Sequence, residues 1–166
     1  MRIVLLNPLF AYYASKQPSL GLAYLAAVAK QGGFEVKIID ANADKLSLQE
    51  AVQNIIHYKP DILGVSIVTP VFDTAINIVR EVKKKISVFV VAGGPHPSAL
   101  PIETLQTGVI DVVCRGEGED TLIELLDYLK GKRSLKEITG INFMENREYL
   151  ATPNRPLIKD LDHLPF

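Results

Sequence analysis

An open, doubly wound α/β fold on a parallel sheet is predicted by three features of this 166-residue sequence. Val- and Ile-rich runs of strand length alternate with longer runs of helical period, the order expected of repeated βαβ units. The strand runs have the Val/Ile enrichment of strands buried on both faces. The composition, with 48% hydrophobic side chains, supplies one substantial core.

The five predicted strands are "RIVLLN" (2–7), "EVKIID" (35–40), "DILGVS" (61–66), "VFVVAG" (88–93) and "DVVCR" (111–115). The first helix begins near Ser19, stacks Leu22, Leu25, Ala26 and Ala29 on one face, and stops at Gly32 and Gly33. The second opens with Ser47 and Glu50 at capping-box spacing and stacks Leu48, Ala51, Val52 and Ile55. The third turns Phe72, Ala75, Ile76, Val79 and Val82 inward, leaving Arg80 and Lys83 to Lys85 as a solvated face or last turn. A short fourth helix starts around Pro101, and a fifth carries Leu122, Leu125, Leu126 and Leu129 before Gly131. Right-handed crossovers give five such strands the order 2-1-3-4-5, with ligands expected at their carboxyl ends. Beyond Gly131, "GINFM" and "EYLAT" flank "ENR" as a small hairpin, and "PNRPLIKDLDHLPF" reads as extended chain. The expected division is therefore 1–133 for the sheet domain and 134–166 for a hairpin and linker.

Bulk properties exclude several functions. With 18 basic and 19 acidic side chains the net charge is −1, which leaves no positive field for nucleic acid or an anionic membrane. No apolar run approaches the ~20 residues needed to span a bilayer. The single cysteine, Cys114, cannot form an intrachain disulfide or hold a multi-cysteine cluster, and its environment reads as a buried strand end. A reducing compartment, the cytoplasm, is the expected location. His57, His96 and His163 lie far apart, so no metal site is expected.

The loops at the predicted ligand edge carry the functional signal. "NPLFAYYASKQPSLG" is longer than the ~2–6 residues usual between a strand and its helix, carries Phe10, Tyr12 and Tyr13, and lacks a phosphate-cradling glycine pattern. Asp40, a possible ribose ligand at the end of strand two, loses support without that pattern. Ser66 and Thr69 follow strand three, where they suit either a ligand or capping of the next helix. Gly93 and Gly94 let a bulky ligand approach the backbone, and Pro95 and Pro97 stiffen the chain around His96. "RGEGEDT" carries Glu117, Glu119 and Asp120, which would repel a phosphate and suit a helix start.

Taken in order, "PSLGLAYLAA", "IIDAN", "PDILGVSIVTP", "VVAGGPHPSALP", "DVVCRGEGEDT" and "LIKDLDHLPF" resemble the amino-terminal cobalamin-binding domain of cobalamin-dependent radical S-adenosylmethionine enzymes, the methyltransferase and cyclase group. The resemblance implies a flavodoxin-like (Rossmann-like) sheet with the corrin ring across its carboxyl edge and the dimethylbenzimidazole tail in the sheet crevice. By the same resemblance, Ser66 and Thr69 line or hydrogen-bond the tail, and Gly93 and Gly94 leave it room. Pro95, His96 and the "RGEGE" loop, Arg115 to Glu119, then flank the corrin or its nucleotide loop, with Arg115, Gly116 and Glu117 as its binding residues. The first loop lacks the histidine that replaces the tail base in methionine-synthase-like domains, so base-off cobalamin without a histidine ligand is expected. S-adenosylmethionine and a [4Fe-4S] cluster would belong to a radical domain expected to follow covalently after "LDHLPF", the cobalt carrying a methyl group between S-adenosylmethionine and substrate. This chain alone is then not expected to be catalytic. The alternative is a cobalamin-free domain that docks on a radical domain or covers its substrate.

Overall fold

The computed structural model describes residues 1–10 and 18–165. The order of elements is β1 (Arg2–Asn7), α1 (Leu20–Gln31), β2 (Glu35–Asp40), α2 (Leu48–Tyr58), β3 (Ile62–Ser66), α3 (Phe72–Lys83), β4 (Phe89–Gly93), α4 (Pro95–Ala99), α5 (Pro101–Gln106), β5 (Val112–Cys114), α6 (Glu119–Leu129), β6 (Ile141–Glu145) and β7 (Glu148–Ala151). All five predicted strands are present. Tyr12, Tyr13 and Phe166, marked in the sequence, lie outside the described residues.

Local chemistry places the helices as expected. Ser47 Oγ accepts from the Glu50 amide at 3.3 Å and Glu50 Oε2 accepts from the Ser47 amide at 2.9 Å, which completes the capping box of α2. Gly33 leaves α1 with a φ of +79°, a conformation in which glycine has no Cβ penalty. The basic run after α3 is not wholly solvated: Lys83 Nζ reaches Asp111 at 2.7 Å and ties the helix end to the start of β5.

The sheet order is β2-β1-β3-β4-β5-β6-β7. The first five strands are parallel, with Ile3 opposite Ile62, Gly64 opposite Val91 and Ala92 opposite Val113. The β6–β7 hairpin is not a separate appendage. It pairs antiparallel with β5, Val112 opposite Phe143 and Cys114 opposite Ile141, so a five-stranded expectation becomes a seven-stranded sheet. The cause is the edge: β5 without a neighbour would expose a row of backbone donors and acceptors, and Phe143 would lack a place to bury.

Each face of the sheet has its own core. Helices α2 and α3, with Leu105 of α5, cover Val4, Leu6, Leu63, Val65, Val90 and Val113. Helices α1 and α6 cover Ile3, Leu5, Ile62, Val91, Val112 and Cys114, together with Ile141 and Phe143 of the hairpin. Strand alternation therefore sends Gly64, Ser66 and Gly93 to the α1/α6 face. No helix of the described residues is long and apolar enough to cross a membrane.

Phe143 is 2% exposed inside the α1/α6 core. Phe143→Ala should therefore destabilise the whole domain by about 3–5 kcal/mol in a single transition by urea unfolding monitored by circular dichroism. A hairpin that only leaned on the sheet would give less than about 1 kcal/mol.

Candidate functional site

The carboxyl end of the sheet lacks bulk on its α1/α6 face. Ser66 on β3 stands opposite Gly93 on β4, and a Cβ placed on Gly93 would come no nearer than 4.0 Å to Cys114 of β5. One row deeper, Gly64 lies between Leu5 and Val91. Three adjacent strands thus offer serine, glycine and cysteine side by side, where the opposite face has Val65 and Ala92 packed solid.

A cavity of about 220 Å3 stands on this floor. Its walls are the first turns of two helices, with Gly21, Leu22 and Leu25 from α1 and Thr121, Leu122 and Leu125 from α6. The loop from Gly116 to Glu119 closes the third side. Glycines hold the walls back: a Cβ on Gly118 would come within 3.3 Å of Leu25 Cδ2 and 3.7 Å of Cys114 Sγ. The lining is mostly aliphatic, with a few polar groups at its margin, which suits a flat, largely apolar ligand oriented by one or two hydrogen bonds. Burial pushes the Cys114 thiol up from its ordinary range, and the nearby Glu119 carboxylate adds to that, opposed by a hydrogen bond from Thr121 and by Arg155. The thiol is thus an uncharged wall group at neutral pH. Among the described residues, Glu119 Oε2 is buried in this region without a hydrogen-bond partner.

Among the residues singled out from the sequence, Ser66, Gly93, Gly94, Gly116 and Glu117 come together around the cavity, whereas Thr69, Pro95, His96 and Arg115 do not line it. His96 lies farthest from the cavity side. It is 3% exposed, its ring centroid is 4.1 Å from that of Phe72, and its Nδ1 lies 3.3 Å from Thr69 Oγ1. Phe72 packs on the α2/α3 core, so this histidine faces the layer opposite the cavity. The reason is local: "PHPSA" is not a stiffened loop but the short helix α4, with proline at its first position, and its turn rotates His96 toward α3. Thr69 instead opens a 3-10 turn, and neither that turn nor α3 has a side-chain cap. Pro95 is exposed at the sheet edge. Arg115 turns away, its Nη2 donating to the Thr152 carbonyl at 2.5 Å. Asp40 accepts from Asn7 Nδ2 and from the Ala43 amide, both at 2.9 Å, and so serves its own loop.

Gly93 and Gly94 have different roles. Gly94 has φ +100° and ψ −177°, a region open essentially to glycine alone, and a Cβ there would meet the Ile67 carbonyl oxygen at 2.9 Å. This close approach carries two hydrogen bonds, Ile67 N–H to Gly93 O at 2.8 Å and His96 N–H to Ile67 O at 3.1 Å. Gly93 is the residue that leaves space; Gly94 is the one that lets the backbones cross.

Sequence reading did not single out Gly64 or the four wall leucines as site residues. A glycine inside "DILGVS" was a visible signal of close approach, because strand interiors disfavour it. The leucines gave none, since a helix face reads the same over a filled core and over a cavity. The tail was likewise read as free linker, yet part of it is fastened. Arg155, 13% exposed, donates from Nε to Thr121 Oγ1 at 3.0 Å and pairs with Glu124, and the Ile158 amide donates to Glu117 Oε2 at 2.6 Å.

Comparison with known proteins follows the same lines. The family profile described as "B12 binding domain" matches residues 6–126. An uncharacterised methyltransferase of Pyrococcus horikoshii is 40% identical over 151 residues, covering 90% of this chain and 33% of that protein. The anaerobic magnesium-protoporphyrin IX monomethyl ester cyclase of Rubrivivax gelatinosus is 30% identical over 177 residues, covering 99% of this chain and 32% of the cyclase. The chain thus spans about a third of the length of these curated relatives. In fold it is similar to the cobalamin-dependent S-adenosylmethionine radical enzyme OxsB with aqua-cobalamin and S-adenosylmethionine bound, with TM-score 0.84 at 22% identity over 94% of this chain and 22% of that one. It is also similar to the radical S-adenosylmethionine methyltransferase TsrM of Kitasatospora setae with cobalamin and a [4Fe-4S] cluster bound, with TM-score 0.79 at 20% identity over 99% of this chain and 31% of that one.

The contrast between the paired glycines is testable by thermal or urea unfolding. Gly94→Ala should cost about 2 kcal/mol or more, from strain and the Ile67 clash, whereas Gly93→Ala should stay within about 1 kcal/mol. Equal costs at the two positions would contradict the geometry.

Proposed function

Because the chain belongs to the B12-binding domain family, we propose that its cavity receives the dimethylbenzimidazole tail of a base-off cobalamin whose corrin ring lies across the carboxyl edge of the sheet. The observation that carries this reading is the row Ser66, Gly93 and Cys114 beneath two leucine-lined helix turns, an aliphatic slot with a floor too small to fill it. A flat heteroaromatic group buries both faces there, at roughly 25 cal/mol per Å2 of apolar area, and Ser66 Oγ offers it a hydrogen bond. Exposed Pro95, Thr69 and Gly116 stand at the same edge, where a corrin and its nucleotide loop would pass.

What the protein offers the metal supports the base-off state. The sequence has no histidine before His57, and among the described residues none lines the cavity, His96 facing Phe72 instead. With the tail in the slot, no imidazole of these elements replaces it below the cobalt. When bound, the cofactor supplies a cobalt able to accept and hand on a methyl group. The chain's own residues bind the tail, exclude water from it and hold the ring plane over the edge. In a longer protein like the relatives, the segment 134–166 leads from this domain toward a radical domain that supplies S-adenosylmethionine and a [4Fe-4S] cluster. A single cysteine cannot furnish such a cluster from this chain.

Purified protein mixed with hydroxocobalamin and desalted should retain corrin absorption in a base-off visible spectrum. The paramagnetic resonance of the cobalt(II) form should lack histidine nitrogen hyperfine structure. Gly93→Leu and Ser66→Tyr, checked for folding by circular dichroism, should each abolish retention. Cobalamin held by both variants would sink the site, and a folded wild type that retains none would favour a cobalamin-free docking domain.

A further inference from the structure

Among the described residues two buried side-chain atoms of this region have no hydrogen-bond partner: Glu119 Oε2, and Nε of Arg115, whose Nη2 is turned to the Thr152 carbonyl. The ionisable residues among those lining the cavity are Cys114, Glu117 and Glu119; none comes from α1, β1, β3 or β4. Glu117 is engaged by the Ile158 amide at 2.6 Å. Thr121 Oγ1 is taken by Arg155 Nε at 3.0 Å, and Arg155 itself is held by Glu124, with the exposed Asp120 3.9 Å away. The Cys114 thiol is directed at the Glu117 carbonyl oxygen, 4.0 Å away. Glu119, the first residue of α6, lines the cavity, and among the described residues its Oε2, which is shielded from solvent, has no donor. A shielded carboxylate oxygen without a donor is costly and uncommon in native structures, and a side-chain rotation toward the adjoining cavity would let a ligand there supply the partner.

We infer that the Glu119 carboxyl holds the ring nitrogen of the cofactor's heterocyclic tail through one shared proton, and thereby selects tails that carry such a nitrogen. The inference rests on the tail occupying this cavity. A benzimidazole released from cobalt exposes a nitrogen lone pair, which is an acceptor, and a carboxylate is an acceptor too. The two can meet only with one proton between them, taken from solvent as the tail enters; the cobalt–nitrogen coordinate bond is the one bond broken, its electron pair staying on the nitrogen, and the shared proton is the one gained. Ser66 on the floor serves a tail of any chemistry, whereas Glu119 rewards a basic ring nitrogen, which makes it the specificity-determining group.

Isothermal titration of the purified protein in buffers of different ionisation enthalpy tests this with three probes: cobalamin, cobinamide lacking the nucleotide tail, and a cobamide whose lower base is a phenol without ring nitrogen. Wild type should bind cobalamin with uptake of about one proton and the other two without uptake. Glu119→Ala should weaken cobalamin binding about tenfold and remove the uptake, leaving cobinamide and the phenolic cobamide unaffected. Glu119→Gln, whose amide N–H can donate to the ring nitrogen, should recover most of the affinity with no proton uptake. Unchanged cobalamin affinity and uptake in Glu119→Ala, or an equal loss for all three corrinoids, would overturn the role of Glu119 while leaving the cavity assignment standing. Wild type binding cobinamide as tightly as cobalamin would overturn the cavity assignment, and this inference with it.

Discussion

The absence of side-chain bulk where β3, β4 and β5 reach their carboxyl ends is the constraint on which the rest of the architecture turns. On one face of the sheet these strands end in Ser66, Gly93 and Cys114, with Gly64 one row deeper. Helices packed over such a floor cannot settle onto it, because the leucines of α1 and α6 meet each other and the strand flanks first. On the other face Val65, Ala92 and Val113 give α2 and α3 a filled contact. The same sheet thus has one solid side and one hollow side, and the hollow is deepest at the edge where parallel α/β sheets collect ligands.

That edge is fixed by backbone as much as by side chains. The Gly94 crossing against Ile67, with its two hydrogen bonds, extends the pairing of β3 and β4 beyond the strands proper. It aims α4 away from the cavity, carries His96 to the Phe72 side, and leaves Gly93 facing open space. On the far flank, the hairpin seals the β5 edge, and Arg155 and Ile158 draw the tail along α6 and the Gly116–Glu119 loop. The segment expected to lead toward a further domain is therefore anchored beside the cavity, not dangling from it.

Much of this was legible in the sequence, for identifiable reasons. Periodicity and the Ser47–Glu50 capping box located the main helices and the five strands, because both signals are local. The glycine pair was visible because few other needs place two glycines at a strand end. The partner of the hairpin was not legible, since pairing with β5 is a long-range contact that nothing in "GINFM" announces. The direction of His96 was not legible for a related reason. Its chemistry drew attention toward the ligand edge, while its direction was set by one turn of α4 and by a glycine that sterics demand at position 94. Glu119 was read as a helix-start acid, which it is, and as the end of a loop beside the cofactor; its buried oxygen, unpartnered among the described residues, emerges only when α6 is laid over Cys114.

The central claim is that a flat tail sits between α1 and α6 on the Ser66–Gly93–Cys114 floor. The most direct measurement is an isotope-filtered nuclear Overhauser experiment on the protein, with labelled leucine and valine methyls and bound, diamagnetic cobalamin. The account predicts contacts from the benzimidazole methyl protons to the methyls of Leu22, Leu25, Val91, Leu122 and Leu125. Contacts instead to methyls of the α2/α3 face, such as Val71 or Val79, or none from the benzimidazole in a saturated complex, would contradict it.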